Sequence, residues 1–569
     1  MTEAQPGVAA ATPATRHDTL IAWGLFLLAL LILWPFYSTR DFSGMDIRFA
    51  YFVQEMLRTG ITLYPHTQIG PFPDYPATST WVLYALSLIG GGFNLAIATL
   101  PSAATSAATV AVTWRIGALH SRQYGLVAAL LLLGTFEFLV QARMLSIDVW
   151  VMLFTTLAFY IAIKAILRDA ALPIATLLLL VLLSTLFRSA IGGVITTGVV
   201  CCVCLINQRW REMLIFGCLA TLVLVANVIW LAAAAYLEGG DAFLAQALSF
   251  QGGGRFEARK PALDAYLVNA LGAYAIGYPL ALAAIVCVLS RGKVRITPAH
   301  MLLFSVIVWL LVVIGGLSIP GTKKTRYILP AAPAMALLAG ALFTQVGDYL
   351  FPRARRIALV FVGSIPLLAA SAALLVYPHD ITDTLDMHTP LLWALALCAL
   401  FTVVSGLSLR KLTGARQVNA LLLCCTATVL VIKILVMEPA MARHASDRPF
   451  VDAIEAQRTM LGDSQLGFYR MSREYEDMNY LVLRNSAERP VYYYKTKNLA
   501  SYDGQMPLLL IMRTEALAEF ERDYTGQWQQ IAVGRLAHKD CVALVLHSLP
   551  GTAAAPEAVL DHNQGGASR

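Results

Sequence analysis

Thirteen stretches of mostly apolar residues run through this chain, each close to the ~20 that a membrane-crossing helix needs. They lie near 19–37, 94–119, 124–141, 147–166, 171–187, 190–206, 211–236, 267–290, 299–319, 328–346, 357–377, 389–409 and 418–437. A backbone in lipid has no water to bind, so stretches of this kind must close their hydrogen bonds within helices. Charged residues make up only 14% of the 569, against about 25% in soluble domains. The chain is therefore expected to fold as a polytopic α-helical membrane protein with about thirteen transmembrane helices. Its first apolar run, 20–37, is longer than the ~7–15 residues of a signal-peptide core and reads as an uncleaved first helix.

The net charge of +7 is a topology signal. Basic clusters such as Arg115 and Arg122, Arg209 and Arg211, Arg353, Arg355 and Arg356, or Arg410 and Lys411 fall in alternate loops. Such loops face the cytoplasm, which removes nucleic acid as a partner. Another set lies on the opposite side, where topology disfavours it: Arg48, Arg58, Arg143, Arg188, Arg255, Arg259, Lys260, Lys323, Lys324 and Arg326. An anionic lipid head group is the simplest explanation for these.

Two segments on that outer side are long. The loop at 38–93 carries Asp46, Arg48, Glu55, Arg58, Asp74 and Tyr75, with a helical pattern opening at Asp46 and a short interfacial helix near 78–92. Loops of this length tend to be functional. The loop at 237–266 has Gly252–Gly254 directly before Arg255, as a mobile lid or a solvated linker would. From about 439 the composition becomes that of a soluble α/β domain, with strands in QLGFYR, RPVYYYKT, PLLLIMR, QQIAVGRL and CVALVLHSL. The expected organisation is a membrane domain at 1–438, a small extracytoplasmic α/β domain at 439–549 and a disordered tail at 550–569. Eight of nine cysteines fall in apolar spans, so the soluble part cannot close an internal disulfide. No metal site is expected, since the His and Asp residues at 379–388 lack ligand spacing.

The candidate acids are Asp46 and Asp148. Asp46 is either an acid–base group or an acidic residue favourable at a helix start. Asp148 opens the fourth span five residues after Arg143, and is either functional or the partner of Arg143 in a structural pair. The turn SIPGTKKTRYILP places Lys323, Lys324 and Arg326 beside Tyr327. It suits a phosphate at the interface, or lysines and arginine snorkelling to anionic lipid.

These features, taken in order, resemble the bacterial lipid A aminoarabinose transferases and their relatives, the protein O-mannosyltransferases. The resemblance rests on Asp46-x-Arg48-Phe49-Ala50, Asp74-Tyr75-Pro76 before an interfacial helix, Ala142-Arg143 leading to Asp148, and Lys324-x-x-Tyr327-x-Leu329-Pro330. It departs from the family where Met45-Asp46 replaces an Asp-Glu pair and Asp74-Tyr75-Pro76 replaces Lys-Pro-Pro. It implies a GT-C glycosyltransferase in the bacterial inner membrane, with its active site and C-terminal domain on the periplasmic side. The donor would be a polyprenyl-phosphate sugar, and the acceptor lipid A, another envelope glycolipid or a protein. Transfer would invert the sugar carbon, and whether a divalent cation takes part stays open. Asp46 and Asp148 would then be catalytic, and Arg48, Arg255, Lys323, Lys324, Arg326 and Tyr327 would hold the donor phosphate. Asp74, Tyr75, Arg143, Arg259 and Lys260 would line the acceptor or loop side. A transporter or flippase is the rival class, but it would place ionisable residues near the bilayer midplane rather than at one face.

Overall fold

A computed structural model of the chain describes residues 16–35, 42, 44–68, 70–251, 265–290, 298–319, 323–344, 352–379, 382, 385–471, 476–484, 489–493, 499 and 506–546. Arg255, Arg259 and Lys260 lie outside them, as do Gly252–Gly254 and the tail. Two compact units are present: Phe52–His444 with the first helix, and the C-terminal part from Ala445 together with Phe42–Tyr51.

The first unit is helical. It contains α1 (Arg16–Leu33), the larger part of α2 (Met45–Thr59), the short hairpin β1 (His66–Thr67) and β2 (Gly70–Pro71), and α3 (Thr78–Ile89). Next come α4 (Leu95–Ala118), α5 (Arg122–Leu133), α6 (Phe136–Ala142), α7 (Asp148–Leu167), α8 (Ile174–Ile206) and α9 (Trp210–Gln251). The unit ends with α10 (Ala265–Ala273), α11 (Gly277–Leu289), α12 (Pro298–Ser318), a 3₁₀ turn (Thr325–Ala331), α13 (Ala332–Ala341), α14 (Pro352–Val376), α15 (His388–Lys411) and α16 (Gly414–Val431). A π-helical segment, Ile432–Met437, joins α16 to α17 (Glu438–Ala445).

Among the described residues nine helices are long and apolar enough to cross a membrane, or ten if α5 and α6, bent by 71°, form one span. The thirteen are apolar stretches, and α8 alone takes up two of them. Among the described residues each expected stretch is mostly helical, but several are broken or short, because an apolar run records burial and not continuity. The stretch 267–290 is divided between α10 and α11, and 328–346 between the 3₁₀ turn and α13. The stretches 171–187 and 190–206 form the single run α8, interrupted at Arg188 and Ser189.

That interruption is a reversal. Ser184 Oγ and Thr196 Oγ1 are 2.9 Å apart, whereas a straight helix would separate residues this far along the chain by ~18 Å. A Cβ on Gly192 would collide with the carbonyl oxygen of Ser184, so the two arms of α8 meet only over a glycine. α9 breaks in the same way at Gly239 (φ −150°, ψ 17°) and Gly240 (φ 64°, ψ −159°), nearly the dihedrals of Arg188 (−134°, 25°) and Ser189 (56°, −162°). The region Ser189 occupies belongs almost solely to glycine, and a side chain there costs ~1–3 kcal/mol. Helix α9 also continues to Gln251, so much of the expected loop at 237–266 is helical.

The second unit is a five-stranded sheet with helices. Strands β3 (Gln465–Tyr469), β4 (Val491–Tyr493), β5 (Leu508–Arg513), β6 (Trp528–Leu536) and β7 (Lys539–Leu546) take the order β4-β3-β5-β7-β6. β3 is parallel to β4 and β5, and the β5–β7 and β6–β7 pairs are antiparallel. The unbroken apolar run of β5 fits its central place, buried on both faces. Helices α18 (Arg448–Leu461), α19 (Glu476–Arg484) and α20 (Thr514–Asp523) complete it. The Asp447 carboxylate accepts hydrogen bonds from Asn479 Nδ2 and from the Ala537 N–H, tying α18, α19 and the β6–β7 turn together. Tyr480 donates to Glu455, and burial pushes its phenol above the usual range.

Candidate functional site

The strained turn at Ser189 has a clear consequence for Arg188. It leaves the guanidinium of Arg188 at the end of the first arm of α8, buried with 7% of its surface exposed. Its Nε donates to Asp148 Oδ1 at 2.8 Å, and Arg326 Nε lies 3.6 Å from Asp148 Oδ2. Each oxygen of this buried carboxylate therefore faces its own arginine.

Aromatic rings close the site. The Arg188 guanidinium lies 5.6 Å from the Tyr75 ring and 5.4 Å from the Tyr327 ring, and Arg326 lies 5.5 Å from Tyr327. Desolvated cation–π contacts of this kind contribute ~2 kcal/mol. Trp150 stacks on Phe187 at 4.3 Å, a wall one residue before Arg188.

Local hydrogen bonds hold each contributor. Thr78 Oγ1 donates to the Leu186 carbonyl at 2.8 Å, joining the segment that carries Tyr75 to the end of the first α8 arm. The 3₁₀ turn is held at both ends: Tyr274 Oη donates to the Thr325 carbonyl at 3.1 Å, and Trp309 Nε1 to that of Pro330 at 3.1 Å. Proline supplies no N–H there, so its carbonyl is the only backbone handle. Arg326 and Tyr327 face inward along this turn, while Lys323 is half-buried and Lys324 exposed.

The sequence candidates divide accordingly. Asp148, Tyr75, Arg326 and Tyr327 come together, joined by Arg188, which was recognised only as a cation on the unexpected side. Arg143 is not paired with Asp148, a correction to the structural pair considered for them. Its Nε and Nη2 instead donate to Glu438 at 2.7 and 2.8 Å, and its Nη1 to the carbonyls of Leu33 and Pro35 at 2.7 and 2.9 Å. Lys433 lies 3.4 Å from the same Glu438. Arg143 follows the last residue of α6 and Asp148 opens α7, so the turn between them directs the two side chains to different partners. With most of its N–H groups spent on protein, Arg143 has little left for an acceptor. Asp74 is half-buried beside Tyr75. Asp46, fully buried, and Arg48, half-buried, lie in the part of α2 that belongs to the second unit.

The fold and this cluster define a polytopic membrane protein carrying a small α/β unit and a buried arginine–carboxylate–tyrosine site at the start of a span. No family model matches the sequence, and neither does any curated protein. Among solved structures, ArnT from Cupriavidus metallidurans in the apo state shares 16% identity, with 92% of this chain and 98% of that one covered and a TM-score of 0.68. The same protein bound to undecaprenyl phosphate matches over 93% of this chain with a TM-score of 0.67. The arabinosyltransferase EmbB from Mycobacterium smegmatis is similar at 14% identity with a TM-score of 0.44, over 78% of this chain and 42% of that one. At such identities the likeness defines the fold. The GT-C architecture expected from the resemblance is the architecture found, over nearly the whole of both chains for ArnT.

Proposed function

We propose that this protein is a glycosyltransferase that moves a sugar from a polyprenyl-phosphate donor to lipid A or another envelope glycolipid. It would lie in the bacterial inner membrane, with transfer and the C-terminal unit outside the cytoplasm. The observation that carries this reading is the Asp148–Arg188–Arg326–Tyr327 cluster, set in a chain with the fold of a protein whose structure is known with undecaprenyl phosphate bound. A phosphate-linked sugar already has a good leaving group. The barrier therefore lies mostly in the charge that develops on phosphate as the bond breaks, and fixed cations lower it most when they need not reorganise. Asp148 supplies that fixity. Its oxygens face both arginines, which suits an orienting anchor, while Arg326, Tyr327 and the lysines before them face the phosphate.

Mass spectrometry of lipid A and other glycolipids from a deletion strain tests the reading, together with transfer by purified protein in nanodiscs from a panel of polyprenyl-phosphate sugars. Loss of one glycolipid substituent, restored by the purified protein, is expected. A translocated but chemically unchanged lipid would instead identify a flippase, and a missing protein glycan a protein O-glycosyltransferase.

The cationic turn gives a sharper test. Charge-assisted contacts to phosphate contribute about 1.5–3 kcal/mol, so Arg326→Ala is expected to weaken donor use roughly ten- to a hundredfold. Lys324 is exposed, where a charge contributes at most ~1 kcal/mol, so Lys324→Ala should change donor use about fivefold at most. Donor titrations of both variants at saturating acceptor check this. Unchanged donor affinity and turnover in Arg326→Ala would leave the turn as a lipid anchor.

A further inference from the structure

We infer that Glu238, the last helical residue of α9 before its break, is a positioning residue that sets the Tyr75 ring against Arg188; this rests on the transferase reading above. The end of the first α9 arm holds the segment 62–78 along one face, on which Leu231, Ala234, Ala235 and Glu238 recur at helical spacing. Tyr64 Oη donates to the Leu231 carbonyl at 3.1 Å. The Tyr64 ring is buried in a cluster with Leu231, Ala234 and Ala235, edge-on to Phe243 at 5.2 Å. Two turns after Leu231 comes Glu238, whose Oε1 accepts from the Leu63 N–H and whose Oε2 lies 2.8 Å from His66 Nε2.

From His66 the contacts run without a gap to the arginine. His66 pairs with Pro71 across the hairpin, and the Phe72 N–H donates to the Pro65 carbonyl at 2.7 Å, so the place of His66 fixes that of Phe72. The Phe72 ring stacks on Tyr75 at 6.0 Å and lies 5.2 Å from Phe52. Tyr75 in turn lies 5.6 Å from the Arg188 guanidinium. Both ends of the segment are tied down as well: Trp81 Nε1 donates to the Thr62 carbonyl at 2.8 Å, and Thr78 to that of Leu186. Glu238 holds the stretch between those ends.

Helix stability does not account for an acid at this position. Gly239 and Gly240 break α9 directly after Glu238, so its carboxylate sits in the last turn of the first arm, at the negative end of the helix dipole. The Leu63 N–H and His66 offset that cost. A carboxylate also suits the two contacts, because both of its oxygens accept, whereas an amide turns an N–H₂ toward one of them. The link matters to transfer because the Tyr75 ring flanks the arginine that anchors Asp148. A shift of ~1 Å at a reacting site can cost about 10²-fold in rate.

The test uses the full-length protein in nanodiscs, with the polyprenyl-phosphate sugar that the wild type turns over and undecaprenyl phosphate as the binding probe. Glu238→Ala removes both contacts, and turnover is expected to fall roughly 10–10²-fold with undecaprenyl phosphate affinity near that of the wild type. Glu238→Gln keeps one accepting oxygen and should recover most of the turnover. Tyr75→Leu should lower turnover by itself, and adding Glu238→Ala to it should lower it little further, because the two residues act through one contact. Residues that act independently give losses that multiply, and that result in the double variant overturns the inference. So does wild-type turnover in Glu238→Ala, or an equal loss of lipid affinity and turnover, which marks a purely structural carboxylate. Hydrogen exchange adds a readout that needs no activity: the amides of 63–72 should exchange faster in Glu238→Ala, and unchanged exchange there overturns the inference. If the wild type transfers from no donor, the transferase reading falls, and exchange at 63–72 still decides whether Glu238 holds the segment.

Discussion

Arg188→Ala is expected to reduce transfer about 10²–10³-fold, the usual consequence of removing one fixed donor from a site where charge develops. The loss should fall on turnover, because Arg326 and the lysines beside it still hold the phosphate in the ground state. Truncation also leaves Asp148 with only the more distant arginine, so unfolding could mimic the result. A second variant separates the two. Arg188→Met with Asp148→Leu replaces the pair by apolar groups of similar volume, a change that is often neutral or stabilising by about 1–4 kcal/mol when a buried ion pair is removed whole. Folded, inactive double-variant protein assigns the pair to transfer. Folded protein with wild-type turnover would show that the pair serves structure alone. Arg188→Lys adds a finer test: lysine keeps the charge but not the planar face lying between the Tyr75 and Tyr327 rings, so only partial rescue is expected.

Much of this architecture was legible in the sequence because burial in lipid leaves a strong mark. The described residues of the thirteen apolar stretches are mostly helical, and the strands of the second unit lie where alternating or unbroken apolar runs placed them. Hydropathy does not see breaks, however. The reversal at Arg188 and Ser189 depends on one residue adopting a conformation normally reserved for glycine, and no composition window registers that. Helix α19 (Glu476–Arg484) escapes a sequence reading for another reason: at nine residues it is too short for a helical period to show.

The site was legible in its parts and not in its pairings. Charge sidedness marked Arg188, Arg326 and Arg143 as cations needing an explanation, and the start of a span marked Asp148. Nearness in sequence suggested that Arg143 pairs with Asp148. The partners lie farther off: Arg188 is forty residues after Asp148, and Glu438 is 295 residues after Arg143.

The Arg143–Glu438 pair should carry the largest stability effect in the membrane unit. Neutral hydrogen bonds between membrane helices average only ~0.6 kcal/mol, because the unfolded-in-membrane state finds other partners. An ion pair is different. Arg143 is 3% exposed, Glu438 4% and Lys433 5%, and the triad joins the end of α1, the turn after α6 and the π-helical segment before α17. Glu438→Gln leaves two buried cations facing a neutral amide and carbonyl dipoles. Breaking a buried pair from one side costs about 3–5 kcal/mol, and a clear fall in Tm of the purified protein in detergent is expected. Arg143→Met should be milder, since Lys433 still balances Glu438. Joining Arg143→Met to Glu438→Gln should therefore recover part of the Tm lost by Glu438→Gln alone, because one of the two stranded cations is gone. Additive losses in the double variant would mean that Arg143 stabilises mainly through the carbonyls of Leu33 and Pro35, and that its bond to Glu438 contributes little.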